Sequence, residues 1–385
     1  MRLQLTGLKT LTAMPEDTSP PPSGYRRLNV LYCAVCRTDA KMWNEGHRDL
    51  VFPRVPGHEF VAADNNNRRF TAWPGSACGR CVHCKAGREN LCEAMKITGF
   101  HHDGGFAHHV TVPESALIPV PTGLADPLVC FAEPVGCVLH ALEKLEPRSG
   151  EKMIIFGGGT LGLLAALAAK DRGLSPLVIE KNSTKIEKAQ PFLYRTGIRC
   201  LKETRESDFH LAINACPDVI AISLCISKLN KGGRLAFFSG LKKNETLESN
   251  LLNLAHYREL SIFGAYGLTR RNMVAGVEFI AANSEVLGTL VEAVLPPESA
   301  PEIMPRVLAG QGFKYILNFS GEKEDRIAAT LPASEKQKKT SATGESTPEI
   351  LQVLSALPGR IEPVGERLRA SAQFRIDDKA KPLGS

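Results

Sequence analysis

Cys78, Cys81, Cys84 and Cys92 stand in the order C-x2-C-x2-C-x7-C. Spacings this short let consecutive thiolates converge on one ion from a single tight loop, and Gly79 and Gly87 let that loop turn. Four thiolates close a tetrahedral shell and leave no open position, so the expected occupant is a structural zinc, with iron–sulfur ligation as the rival for the same spacing. Eleven cysteines in 385 residues, without a signal-type N-terminus, point to metal rather than to a disulfide framework.

A second chemical signature is Gly157-Gly158-Gly159-Thr160-Leu161-Gly162, which fits G-x-G-x-x-G. It follows an apolar stretch with strand character, Met153–Phe156, and opens one with helical spacing, Leu161–Arg172. In that setting Gly157 permits the tight turn and Gly159 lets a pyrophosphate approach the backbone. Gly162 allows close helix–strand packing, and the helix N-terminus beginning at Thr160 and Leu161 attracts the phosphates. Glu180 closes the next apolar stretch, at the distance expected of a ribose-binding acid. Its carboxylate accepts from both ribose hydroxyls and repels a 2′-phosphate, which favours NAD over NADP.

Outside the cysteine lobe lies another set of metal-ligand types: Cys36, the pair His58-Glu59, and Glu133. One thiolate, one imidazole and carboxylates suit an open zinc site with room for water or an alcohol, and such a zinc lowers the alcohol's pKa and prepares it to lose hydride. Taken singly, a Cys is ordinary packing and a His-Glu pair an ordinary surface turn. Sequence distance alone does not bring them together.

The elements that must position these groups fall into two patterns. From Met1 to about Pro121, brief apolar runs such as Leu28–Tyr32 alternate with Pro, Gly and Asn clusters, the signature of a mostly β unit with functional loops. From about Asp126, strands (Met153–Phe156, Leu177–Glu180, Leu211–Asn214, Leu235–Ser239, Leu260–Phe263) alternate with helices (Leu161–Arg172, Val219–Leu229, Asn272–Ala282), which implies a doubly wound parallel sheet. The fold class is therefore α/β with two domains: residues 1–125, completed by 265–320, and a dinucleotide domain, 126–264. Residues 321–346, rich in Lys, Glu, Ser and Thr, read as a linker, and 347–385 as a helical C-terminal segment. A net charge of +6 that is not gathered into one block argues against nucleic acid as a partner, and no run is long and apolar enough to span a bilayer. A cytoplasmic protein is expected.

Jointly, Cys36-Arg37-Thr38-Asp39, Gly57-His58-Glu59, the four-cysteine lobe, Asp103-Gly104-Gly105-Phe106-Ala107, Glu133-Pro134, the glycine loop and Tyr257-Arg258-Glu259-Leu260…Gly264-Ala265-Tyr266 resemble the zinc-containing medium-chain alcohol and polyol dehydrogenases, in particular the sorbitol and threonine dehydrogenase branches. The resemblance runs from near the N-terminus to about Phe319. It implies a GroES-like catalytic domain beside a Rossmann domain, NAD, one catalytic and one structural zinc, and a homo-dimer or homo-tetramer. It makes Cys36, His58 and Glu59 ligands of the catalytic zinc, with Glu133 at the metal directly or through water. Asp39 would orient the metal shell, Thr38 would accept the alcohol proton, and Arg37 would touch the cofactor pyrophosphate. The substrate implied is a secondary alcohol, a polyol or a hydroxy-amino acid.

The chain departs from that family at several points. Lys41 stands where a relay histidine is common, the segment between Phe60 and Cys78 is short, and His108 replaces a common Glu. His101, His102, His108 and His109 crowd one stretch; His101 is a candidate to face substrate, while as a group they read as exposed loop histidines. The segment from Leu354 to Ser385 resembles the beginning of nicotinate-nucleotide–dimethylbenzimidazole phosphoribosyltransferase, without that family's catalytic glutamate. The alternative to an enzyme is therefore a lapsed dehydrogenase serving as a partner module in cobamide synthesis. A quinone reductase of the same superfamily is disfavoured by the metal-ligand set.

Overall fold

The structure, a computed structural model, describes residues 1–242 and 245–321. The linker and C-terminal segment expected beyond Gly321 lie outside the described residues.

Six parallel strands form one sheet in the spatial order Arg199–Leu201, Ser175–Ile179, Lys152–Phe156, Phe209–Asn214, Leu229–Phe237, Ser261–Gly264. Lys152–Phe156 comes first in the chain yet sits third in space, so strand order reverses beside it. The crevice at its carboxyl end is where such sheets bind ligands. Continuous apolar runs suit strands covered on both faces: Ile154, Ile155, Leu211 and Ile213 are fully buried. Helix Thr160–Asp171 follows the first strand directly and buries Leu163, Leu164, Leu167 and a run of alanines. Its closeness to the strand depends on Gly162, where an added Cβ would fall 1.8 Å from the carbonyl oxygen of Gly157.

The second sheet has seven strands. Val291–Leu295, Lys314–Asn318, Tyr25–Ala34, Glu59–Ala63, Arg69–Ala72 and Leu117–Pro119 lie side by side, and His109–Pro113 also pairs with Tyr25–Ala34. The chain thus leaves this sheet after Pro119, builds the parallel sheet, and returns with its last strand, Lys314–Asn318, antiparallel to Tyr25–Ala34. That return brings residues more than 250 positions apart in sequence to adjacent strands.

The pattern reading misses helix Ala132–Leu145. Pro134 and Gly136 mask its periodicity, but Pro134 sits in the first turn, where an N–H has no intrahelical partner to lose. The strand expected at Leu235–Ser239 instead begins at Leu229, with a register irregularity against Phe209–Leu211. No helix among the described residues is long and apolar enough to cross a membrane.

Candidate active site and its two metal-ligand groups

Cys36 ends the strand-to-helix turn that precedes helix Arg37–Glu45 and caps it: its Sγ accepts from Thr38 N at 3.4 Å. Asp39, wholly buried, answers by accepting from Cys36 N at 2.9 Å. The same carboxylate accepts from Gly57 N at 3.3 Å and lies 3.5 Å from Nδ1 of His58. One aspartate therefore ties the cysteine turn to the histidine turn. His58 Nδ1 faces the Asp39 carboxylate as a charge partner without a hydrogen bond, while one ring nitrogen joins the donor atoms of Cys36 and Glu59.

The loop Asp103-Gly104-Gly105-Phe106 clasps the histidine turn from behind. Gly104 N donates to Val55 O, Gly105 N to Gly57 O and Phe106 N to Pro56 O, at 2.7, 2.8 and 3.0 Å. A Cβ at Gly104 would lie 2.1 Å from Gly57 O, so only glycine permits this approach. Asp103 adds acceptors for Val55 N at 3.1 Å and for the Arg54 guanidinium at 2.8 Å.

Cys36, His58 and Glu59 bring one donor atom each within 4.8 Å of one another. Burial and the neighbouring Glu59 push the Cys36 thiol up, and burial chiefly raises Glu133. Burial opposes a charge on His58, but Asp39 and Cys36 outweigh it and hold the imidazole well above its ordinary range. A thiol and carboxylates crowded in this way, with an imidazole among them, are a donor set that a divalent cation fits. Glu133 is not one of the three. It lies in the first turn of helix Ala132–Leu145, and its Oε1 accepts from Cys137 Sγ at 3.3 Å, one helical turn on.

The second group is Cys78, Cys81, Cys84 and Cys92, whose sulfurs also lie within 4.8 Å of one another. The separations Cys81–Cys84, 3.5 Å, and Cys78–Cys84, 4.0 Å, bracket the roughly 3.8 Å that a tetrahedron with ~2.3 Å zinc–sulfur bonds requires. Backbone N–H groups of Cys78 and Cys81 point at Cys92 and Cys78 sulfurs at 3.2 and 3.4 Å. The N–H of Cys84, then that of Glu93, brings the Cys81 thiol down to about 6 despite some burial.

At the parallel sheet, Gly157 adopts φ 111° and Gly159 caps the helix that starts at Thr160. Leu161, in the first turn, is partly buried. Glu180 follows directly on Ser175–Ile179 and accepts from Gly158 N and Asn182 N, both at 2.9 Å. Its carboxylate thus lies against the glycine loop. Thr160 Oγ1 donates to Phe313 O at 3.0 Å, so the loop also touches the returning segment before Lys314–Asn318. A Cβ at Gly310 would lie 3.7 Å from the Arg37 guanidinium and 3.2 Å from Lys185 Nζ, which places two cations beside that segment.

Residues 23–122 match the family model for the alcohol dehydrogenase GroES-like domain. D-altritol 5-dehydrogenase of Agrobacterium fabrum is 27% identical over 75% of this chain and 90% of its own. Sorbitol dehydrogenase of Halalkalibacterium halodurans is 30% identical over 54% and 63%. Over these spans the chain is similar to zinc-type alcohol and polyol dehydrogenases. The fold is also that of 2R,3R-butanediol dehydrogenase from Bacillus subtilis, at 19% identity and a TM-score of 0.73, covering 82% of this chain and 99% of that one.

Sequence reasoning missed three residues in the dehydrogenase's site. Lys314 Nζ donates to Glu59 Oε2 at 2.6 Å, with both side chains buried, and stands 5.9 Å above the Phe131 ring. A lysine inside the apolar strand Lys314-Tyr-Ile-Leu was the available signal, since a buried ammonium demands a partner. Cys137 carried none, being one more apolar-face residue on a helix. Phe100, whose ring is 5.4 Å from His58, looks like any core aromatic in sequence. The histidines need correcting: only His108 is well exposed. His109 pairs with Glu16 at 3.2 Å, His102 buries Nε2, and His101 accepts from Ile97 N at 3.1 Å, because the loop folds back onto the sheet rather than standing in solvent.

Proposed function

We propose that the dehydrogenase oxidises a secondary alcohol, polyol or hydroxy-amino acid to the ketone, with zinc at Cys36, His58 and Glu59 and NAD along the glycine loop. The observation that carries this reading is the convergence of three unlike donor atoms within 4.8 Å. Zinc held there supplies Lewis acidity toward an alcohol oxygen, and NAD supplies the hydride acceptor. The remaining roles belong to the chain. Asp39 fixes the His58 ring and the Cys36 turn together, so the donors keep their geometry. Thr38, partly buried beside Cys36, takes the alcohol's proton at its hydroxyl, and Lys41, on the same helix, or water passes it outward. Glu133, outside the three-atom group but sensing the charges of His58 and Glu59, takes part at the metal directly or through water. Arg37 receives the cofactor pyrophosphate with the N-H groups of the loop Gly157–Gly162, and Glu180 accepts from the ribose hydroxyls. Cys78, Cys81, Cys84 and Cys92 hold a second, structural zinc.

The reading assigns residues 1–125 with 265–320 to the catalytic domain and 126–264 to the cofactor domain. Strand Ser261–Gly264 is the edge of its sheet, with Ile262 and neighbouring Tyr257 exposed, which supports a homo-dimer formed along that edge.

Cys36→Ala tests the site. Zinc per chain should fall from two to one and turnover should vanish, while NAD affinity stays near wild type because the glycine loop is untouched. Turnover that persists with one zinc per chain would overturn the assignment.

A further inference from the structure

The loop Asp103–Phe106, which clasps the histidine turn, also borders a cleft of about 530 Å³ that the reaction leaves unused. Arg2, Arg54, His102 and Asp103 line it, with Tyr25 and the run Pro20–Pro22. None of the groups assigned above to metal, cofactor or proton transfer is among its lining residues. Three of the lining side chains have a nitrogen to spare. Arg2 Nε, Arg54 Nε and His102 Nε2 are buried without a hydrogen-bond partner, and of the seven such side-chain atoms among the described residues, these three meet at one cleft. A buried polar atom left unpaired is unfavourable, so an acceptor in the cleft that these groups turn toward is a net gain. Both arginine side chains are partly open, at 23% and 19% exposure, which lets a guest reach them.

The charge there is uneven. Arg54 donates to Asp103 Oδ1 at 2.8 Å, and Arg2 stands 3.5 Å from Asp103 Oδ2, so one carboxylate serves two guanidiniums. Arg27 lines the cleft as well and donates to the backbone carbonyl of Asp17, not to its carboxylate. That carboxylate is 60% exposed, lies 4.0 Å from Arg2 and accepts from Ser19 N. Glu16 is already taken by the N-terminal ammonium at 2.9 Å and by His109 at 3.2 Å. Arg2, Arg27 and Arg54 therefore face Asp103 and Asp17 with one cation in excess.

The remaining lining is apolar and stiff. Tyr25 stands edge-on to His102, 6.4 Å between ring centroids, and Pro20, Pro21, Pro22 and Val110 add apolar surface. Three prolines in a row fix their backbone in advance, so little ordering remains when a ligand arrives. The volume lies within the roughly 300–1,000 Å³ of small-molecule sites. A monoanion matches the single excess cation and accepts from the spare donors, and a flat apolar body matches the tyrosine and prolines. We infer that this cleft is a second ligand site, separate from the reaction centre, for an aromatic carboxylate: the carboxylate is received by Arg2, Arg54 and His102, and the ring by Tyr25 and the prolines.

The test uses the zinc-loaded full chain, titrated calorimetrically with 2-naphthoate and with 2-naphthamide, its uncharged counterpart. Naphthoate should bind more tightly by about tenfold or more, since only it offers a charge-assisted acceptor to the arginines. Arg2→Gln and Arg54→Gln should each weaken naphthoate by about fivefold and leave naphthamide nearly unchanged. Cys36→Ala should leave naphthoate binding as it was, because the cleft does not include the metal-ligand group. Hydrogen exchange of the unmutated chain gives a reading that no folding defect can disturb: naphthoate should slow exchange in the segment Asp17–Tyr25. Equal affinity for the two compounds overturns the inference, as does unchanged exchange in that segment at saturation. A preference that Cys36→Ala abolishes and the arginine variants preserve would place the carboxylate at the metal-ligand group, and it overturns the inference as well.

Discussion

Lys314 Nζ lies 2.6 Å from Oε2 of Glu59, and neither side chain reaches solvent. One candidate metal ligand therefore already carries a counter-charge from the last strand of the catalytic sheet. Burial works against the Lys314 charge, but Glu59 and Cys36 hold its pKa above the ordinary value. Lys314→Met would leave Glu59 buried and unpaired, which costs about 3–5 kcal/mol. Zinc should restore most of that loss by supplying another cation. Melting temperatures with and without zinc check it: an equal fall in both would show that the lysine serves packing alone.

Cys81→Ser should remove one zinc per chain and lower the melting temperature, because three thiolates without the fourth neutralise and close the shell poorly. The catalytic group, on separate strands, should keep its own ion. Elemental analysis beside a thermal melt reads both effects, and unchanged metal content would refute the assignment of the lobe.

Glu180→Ala should narrow the preference for NAD over NADP by about tenfold, since it removes a charged acceptor for the ribose and the repulsion of a 2′-phosphate together. The substitution also frees Gly158 N and Asn182 N. A wild-type protein that prefers NADP would defeat this reading before any mutation is made.

Acid should weaken the N-terminal β region through Glu16. Burial raises its pKa, but the N-terminal ammonium, His108 N and His109 together bring it below its ordinary value of 4.5. A carboxylate depressed in the folded state contributes stability that is complete above the unfolded value and is lost as pH falls through the folded one. Glu16→Gln should therefore lower the melting temperature at pH 7 but make little difference at pH 3. Melts at the two pH values measure the contrast, and an equal effect at both would remove the electrostatic account.

What the sequence determined by itself is local. The four cysteines and the glycine loop with Glu180 each act over a few residues, so spacing and side-chain chemistry suffice to read them. Five of the six strands of the parallel sheet were equally legible, because burial on both faces writes continuous apolar runs. Tertiary structure decided which distant groups meet. Glu59 and Lys314 are joined only because the chain returns to its first sheet after completing another, and a single sequence carries no trace of that pairing beyond a lysine in an apolar strand. Phe100 reaches His58, and Cys137 reaches Glu133, through a loop clasp and a helix whose Pro134 and Gly136 hide its period. The chemistry of each donor was present in the residue type; the cluster that can hold a metal exists only once strand pairing has closed the distance between them.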